Sequence, residues 1–155
     1  MNNQTTAAIA LGSNLGDRRA ALALALRRLG DAFGPLQQSS IYETAAEGTP
    51  APQPPFLNMA VIASAPMDAA ATLQLLLAIE AEAGRERPYP LAPRTLDLDL
   101  ILFGDQVIDT PSLTVPHPRF RDRRFVLEPL AEIAPDLRDP LTGLSVSQLL
   151  GRLSP

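Results

Sequence analysis

Between Pro93 and Gly104 an apolar run of strand length carries two aspartates one residue apart: Leu96-Asp97-Leu98-Asp99-Leu100-Ile101-Leu102-Phe103. Alternate side chains of a strand point to opposite faces. Asp97 and Asp99 therefore share a face, with Cα atoms about 6.5–7 Å apart, and Leu98, Leu100 and Leu102 are expected on the other. Two carboxylates on a face that continues into apolar residues are costly unless positive charge sits between them. Arg94, just upstream, offers one guanidinium, a poor partner for two parallel acids. A divalent cation answers the geometry better. Hard oxygen ligands select Mg²⁺, commonly held by one or two carboxylates plus substrate phosphates. The competing reading is a solvated strand end whose acids pair with arginines, and spacing alone leaves both open.

Around this strand the hydrophobic pattern sets an order of elements. Residues 6–11 read as a first strand, ending in the turn Gly12-Ser13-Asn14-Leu15-Gly16-Asp17. Leu22, Leu26, Leu29 and Phe33 then recur at helical spacing, predicting a helix over 17–33 with Asp17 at its start. Residues 36–44 are expected as one strand and residues 56–63 as another. Pro66-Met67-Asp68 opens a second helix that runs to Gly84, with Leu73, Leu76, Leu77 and Ala83 on its apolar stripe. Gly104-Asp105-Gln106 reads as a hairpin turn into Val107-Ile108. Residues 125–131 read as a short helix and residues 145–153 as a closing one.

Strand, helix, strand, strand, helix, strand is the split βαββαβ arrangement. The expected fold is α+β and ferredoxin-like, a mostly antiparallel sheet with helices on one face and a C-terminal helical tail. The 155 residues are expected to form one domain, 1–155. That fold hosts enzymes, ligand binders and RNA-binding modules, so the site must decide function.

Composition narrows the chemistry. No cysteine is present, which removes disulfides, thiolate metal sites and a cysteine nucleophile. All 13 basic residues are arginine, which excludes a Schiff-base or Walker-type lysine and leaves anion binding to arginine forks. The net charge of −4 argues against general nucleic-acid binding, as does an aromatic content of 5%. Yet seven arginines fall between Arg85 and Arg124, around the paired aspartates. No apolar run is long enough to span a bilayer, and the polar N-terminus does not read as a signal peptide; a cytoplasmic protein is expected.

Individual residues stand out against this frame. Asn58 is polar within an apolar strand and, if buried, must hydrogen-bond, either as a satisfied core amide or as a ligand-reading group. Glu80 lands on the apolar stripe of the second helix, with Arg85, Arg87 or the metal site as candidate partners. His117, the only histidine, is held extended between Pro116 and Pro118 and suits an exposed binding role as well as a structural one. Residues 45–55 contain four prolines and cannot form regular structure. This loop and residues 85–93 read as lids that order on ligand binding. The turn at Gly12–Asp17 lacks both the dinucleotide fingerprint and the P-loop pattern, which favours a structural turn.

Several separated stretches together resemble one family. They are Ala10-Leu11-Gly12-Ser13-Asn14-Leu15-Gly16, Phe56-Leu57-Asn58, Gly84-Arg85-Glu86-Arg87, Pro93-Arg94-Thr95-Leu96-Asp97-Leu98-Asp99, and Thr114-Val115-Pro116-His117-Pro118 with Arg123 and Phe125-Val126-Leu127. In order and from about Ala8 to Pro135, the chain resembles the 6-hydroxymethyl-7,8-dihydropterin pyrophosphokinases of folate biosynthesis.

The resemblance implies transfer of the β,γ-pyrophosphoryl group of ATP to the pterin hydroxymethyl oxygen, with release of AMP. It implies two Mg²⁺ ions held by Asp97 and Asp99, and Arg85 and Arg94 stabilising phosphate charge. Thr114, His117 and Arg123 would contact ATP, and Glu80 and Arg87 are grouped with them. Asn58 would read the pterin edge, completed near Thr44, while Phe56 and Phe125 would pack on the ring. The partners implied are ATP and the pterin, bound by a monomer, with neither nucleic acid nor membrane.

Three departures qualify the match, one of them Pro118 after His117, where an aromatic also occurs. Pro90-Leu91 stands where family members often carry an Arg-Trp pair, and Ala45-Ala46-Glu47 stands where a proline and a more apolar edge are commoner. The alternative is a non-catalytic pterin- or nucleotide-binding relative on the same fold.

Overall fold

The computed structural model describes residues 4–45, 53–84 and 95–153. The first strand, β1 (Thr5–Ser13), leads into α1 (Arg18–Phe33). The Asp17 carboxylate caps α1 by accepting from the Ala20 N–H at 3.0 Å, and the helix buries Ala21, Leu22, Ala25, Leu29 and Phe33. Two short strands follow, β2 (Gln37–Gln38) and β3 (Tyr42–Thr44), and then the long β4 (Phe56–Ala65). Next come α2 (Ala69–Glu82), capped by Asp68 on the Ala71 N–H at 2.8 Å, and β5 (Asp97–Phe103). The remainder holds β6 (Ile108–Asp109), β7 (Thr114–Val115), a 3₁₀ turn (Phe120–Asp122), α3 (Arg124–Ile133) and α4 (Val146–Gly151).

Both neighbours of β1 run antiparallel to it, giving the order β2-β4-β1-β5, with β3 continuing along the β2 edge of β4. This is the expected ferredoxin-like topology. One face of the sheet presents Ile9, Leu11, Val61, Leu98 and Leu100 to α1 and α2. The tail covers much of the other: Phe120, Val126, Leu127, Leu130, Val146 and Leu149 pack on Ala8, Ala60, Ile101 and Leu102. Helices therefore lie on both faces rather than one.

Four local expectations change. The segment 36–44 is two strands because residues 39–41 oppose only 59 and 60. At this bulge the Ser39 N–H bonds to Ala60 O at 2.9 Å, and Ser39 Oγ accepts from the Ala60 N–H at 2.8 Å. A second irregularity, where Ala8 pairs with Leu102 but Ile9 with Leu100, makes Ile101 the extra residue. Leu102 consequently joins Ile101 on the aspartate face instead of following Leu98 and Leu100. On α2 the buried stripe is Ala69, Thr72, Leu76, Ile79 and Glu80, and Leu77 is exposed. Finally, Gly104 turns the chain with φ +57, but β6 pairs with β7 in a separate ribbon, so no hairpin forms with β5. Among the described residues no helix is long and apolar enough to cross a membrane.

Candidate active site

On the tail-covered face, β1 alternates Ala8, Ala10 and Gly12. Ala10 lies opposite Asp99, and Gly12 opposite Asp97 on one side and Asn58 on the other. The apolar cover from the tail is thick over Ala8 and stops short of Gly12. With only small side chains on the central strand, a cavity of about 480 Å³ opens there. Seven expected residues line it together: Thr44, Phe56, Asn58, Asp97, Asp99, Arg123 and Phe125. Four separate elements bring them in, from the edge strand β3 to the start of α3.

The floor is held tightly. Asn58 is buried, and its Nδ2 donates to Thr44 Oγ1 at 2.6 Å, which fixes the amide orientation and ties β4 to β3. The backbone passes close here: a Cβ on Gly12 would stand 3.2 Å from Asn58 Oδ1, a tight contact, and 3.7 Å from the Phe56 ring. Above the floor, Phe125 projects with 41% of its surface exposed, and the Arg123 guanidinium lies 5.5 Å from its ring centre. Arg123 caps α3, so a cationic side chain and the positive end of a helix face the cavity near two carboxylates. Such a site can hold a flat ring with a polar edge beside a cation and an anion.

Glu80 lies beneath, on the helix-covered face. Its Oε2 accepts from the Leu98 N–H at 2.7 Å, so the buried carboxylate grips the backbone between the two aspartates. This is the described partner of a side chain expected to meet Arg85, Arg87 or the metal site. Thr114 lies on β7 and His117 just beyond it, both outside the cavity lining. The His117 N–H bonds to Ile101 O at 2.9 Å, which places the residue along the edge of β5 away from β1. Its Nδ1 accepts from the Arg119 N–H at 3.1 Å, so the neutral ring carries its proton on Nε2. Burial, then the Arg123 charge, pushes the His117 pKa below its usual value against the pull of Asp97, which favours the neutral imidazole.

The turn after β1 is laced to the chain before β4. Asn14 Nδ2 donates to Gln53 Oε1 at 2.8 Å and to Pro54 O at 3.3 Å, and Arg18 donates to Pro55 O at 2.8 Å. Arg85, Arg87, Arg94, the Pro90-Leu91 departure and most of both expected lids lie outside the described residues. Sequence reasoning passed over Tyr42, Arg124, Glu128 and Pro129, which complete the walls. Only Ala10 and Gly12 carried a legible signal, as small residues in step with one another on a strand beside the aspartates.

For the described residues, no three His, Cys, Asp or Glu side chains converge as a metal cluster. The donor set that fits a cation is the Asp97/Asp99 pair, half-buried, on one face and bordering open volume. A hard dication held by two carboxylates would complete its shell with phosphate oxygens or water.

Comparison with known proteins bears on this geometry. Residues 8–135 match the family model described as 7,8-dihydro-6-hydroxymethylpterin-pyrophosphokinase. The chain is 45% identical over 150 residues to the 2-amino-4-hydroxy-6-hydroxymethyldihydropteridine pyrophosphokinase of Bacillus subtilis, covering 96% of this chain and 88% of that protein. It is 46% identical over 141 residues to the enzyme of the same name from Pseudomonas aeruginosa, covering 85% of this chain and 82% of that one. Among solved structures, Plasmodium falciparum HPPK-DHPS superposes with a TM-score of 0.74 at 13% identity. That match covers 98% of this chain and 45% of the other, so the chain spans under half the length of that structure.

Proposed function

The chain belongs to the 7,8-dihydro-6-hydroxymethylpterin-pyrophosphokinase family, and from that premise we propose how its cavity serves the reaction. The chain transfers the β,γ-pyrophosphoryl group of ATP to the hydroxymethyl oxygen of 6-hydroxymethyl-7,8-dihydropterin. The hydroxymethyl oxygen attacks the β-phosphorus, the bond from that phosphorus to the α-phosphate oxygen breaks, and AMP leaves as the hydroxyl proton is shed. The observation that supports this most is one cavity lined by Asp97, Asp99, Asn58, Phe56 and Phe125 together. A binder of the pterin alone would need no pair of carboxylates beside the ring site.

In this reading Phe56 and Phe125 hold the pterin between rings. Asn58, steadied by Thr44, reads its polar edge with Oδ1 while Nδ2 is occupied. Asp97 and Asp99 hold two Mg²⁺ ions, which supply charge neutralisation and alignment of the triphosphate. Arg123 contacts ATP from the mouth of α3, His117 donates to it from Nε2, and Thr114 adds a hydroxyl. Glu80 serves indirectly, fixing the backbone that carries both aspartates. Arg85, Arg87 and Arg94 complete the phosphate contacts. The enzyme works as a monomer in the cytoplasm, with residues 1–155 acting as one domain.

The test separates AMP from ADP after incubation with ATP, Mg²⁺ and the pterin. Pterin-dependent AMP that disappears on chelating the metal is expected; ADP, or no product from folded protein, would overturn the reading. The floor makes a second, graded prediction. Gly12→Ala puts a methyl against Asn58 Oδ1 and should raise the KM for the pterin about tenfold, the equivalent of one good hydrogen bond. The KM for ATP should change less than the KM for the pterin, because the added methyl meets Asn58 and the Phe56 ring, while Gly12 faces Asp97 only across the strand pair. Equal changes in both would show that the residue acts on the sheet and not on the ring site.

A further inference from the structure

The bulge at residues 39–41 frees polar groups of Ser40 from the sheet ladder, and one side chain of α3 collects them. The Glu132 carboxylate accepts from the Ser40 N–H at 3.1 Å on Oε1 and 2.9 Å on Oε2. It also accepts from Ser40 Oγ at 3.0 Å and from the Tyr42 hydroxyl at 2.7 Å. Three donors from one short stretch thus converge on a single exposed carboxylate.

The two partners belong to elements that form different walls of the cavity, although Glu132 itself does not line it. Tyr42 lines it from β3, where Thr44 holds Asn58. One turn before Glu132, Glu128 and Pro129 line it from α3, and Phe125 lies a further turn back. At this solvent-exposed place, water could satisfy Ser40 and Tyr42 without Glu132, so the contact is not needed to avoid a buried unpaired group. What water could not do is fix the separation of β3 and α3.

We infer that Glu132 is a positioning residue for the ring-binding end of the cavity: by pinning the bulge and the Tyr42 hydroxyl to α3, it sets the spacing between the β3 wall and the α3 wall. Bulges beside functional sites commonly re-aim a side chain, and here the re-aimed residue is Tyr42. The bond to Glu132 also raises the Tyr42 pKa to about 12, as expected of a phenol that donates to a carboxylate. The inference rests on the pterin reading of the cavity and adds a residue that touches neither substrate.

The test measures binding of 6-hydroxymethyl-7,8-dihydropterin in the presence of Mg²⁺ and a non-hydrolysable ATP analogue. Nucleotide affinity and steady-state constants are measured separately. Glu132→Gln, which turns a donor group toward Ser40 or Tyr42, should weaken pterin binding about tenfold and raise the pterin KM in parallel. Nucleotide affinity and kcat should stay within about twofold. Tyr42→Phe keeps the ring and loses one donor, so about threefold is expected, and the double variant should be no worse than Glu132→Gln alone. Unchanged pterin affinity in folded Glu132→Gln overturns the inference, and so does an equal loss of nucleotide and pterin affinity. Should Glu132→Gln fail to fold, Tyr42→Phe decides: pterin affinity equal to the parent protein overturns it. A parent protein that binds no pterin overturns the functional reading itself, whereas a parent that binds it with unaffected variants strikes only the role of Glu132.

Discussion

Asp97→Ala is expected to lower the rate of AMP formation about 10³-fold, corresponding to about 4 kcal/mol of lost transition-state stabilisation. The physical ground is the position of Asp97. It is half-buried opposite Gly12, shares a face with Asp99 and borders the open volume of the cavity. In the proposed site, removing one of the two carboxylates would leave too few protein ligands for a dication to align the triphosphate. Pterin binding without nucleotide should survive, because Asn58 and Thr44 are untouched and keep their own bond. Thermal melts establish that the variant is folded, and Asp99→Ala provides the matching case. Near-normal turnover in either folded variant would remove the metal assignment and leave the aspartates as a solvated strand end.

Asp139→Ala should lower stability by about 3 kcal/mol. The Asp139 side chain is fully buried and accepts from Arg121 through two oxygens, at 2.5 Å from Nε and 2.9 Å from a terminal nitrogen. It also accepts from the Leu141 N–H at 3.0 Å and from Thr142 Oγ1 at 2.8 Å. Truncation strands these donors and the Arg121 charge. Arg121 is partly exposed and regains some hydration, which holds the loss toward the low end for a buried pair.

Burial pushes the Asp139 carboxyl up, but the bonds from Arg121, Thr142 and Leu141 outweigh it, and its pKa lies below the usual value. A depressed pKa means stability that is fully present above the unfolded value of about 3.9 and lost as pH falls through the folded one. Denaturant titrations should therefore show the gap between parent and variant closing only below about pH 4. A gap unchanged in acid would mean that packing, not charge, carries the effect. The pair also matters to the site, since Arg121 lies two residues before Arg123 on the segment that enters α3.

The elements themselves were legible because their signals are local. Asp17 and Asp68 announce helix starts by composition and cap them in fact. The alternation around Asp97 and Asp99 marks a strand, and the element order is that of a split βαββαβ unit. Reading failed where a long-range partner overrode the local pattern. Leu77 suits a helical stripe, yet it is exposed and Ile79 is buried in the packed face of α2, whereas Glu80 keeps the inward place the pattern gave it and accepts from the Leu98 N–H. Leu102 suits strict alternation, yet pairing with Ala8 inserts Ile101 and turns Leu102 to the other face.

By itself the sequence determined the strand–helix order, the two same-face aspartates and the motif set shared with the pterin pyrophosphokinases. These rest on periodicities and residue chemistry within a few positions of one another. The tertiary structure decided the remainder: where the tail stops on the second face, how Ala10 and Gly12 leave room for a cavity, and that Glu132 meets Tyr42. Those two residues lie 90 positions apart. Their contact exists only because a bulge and a helix end converge on one place, and no local pattern encodes such a distance.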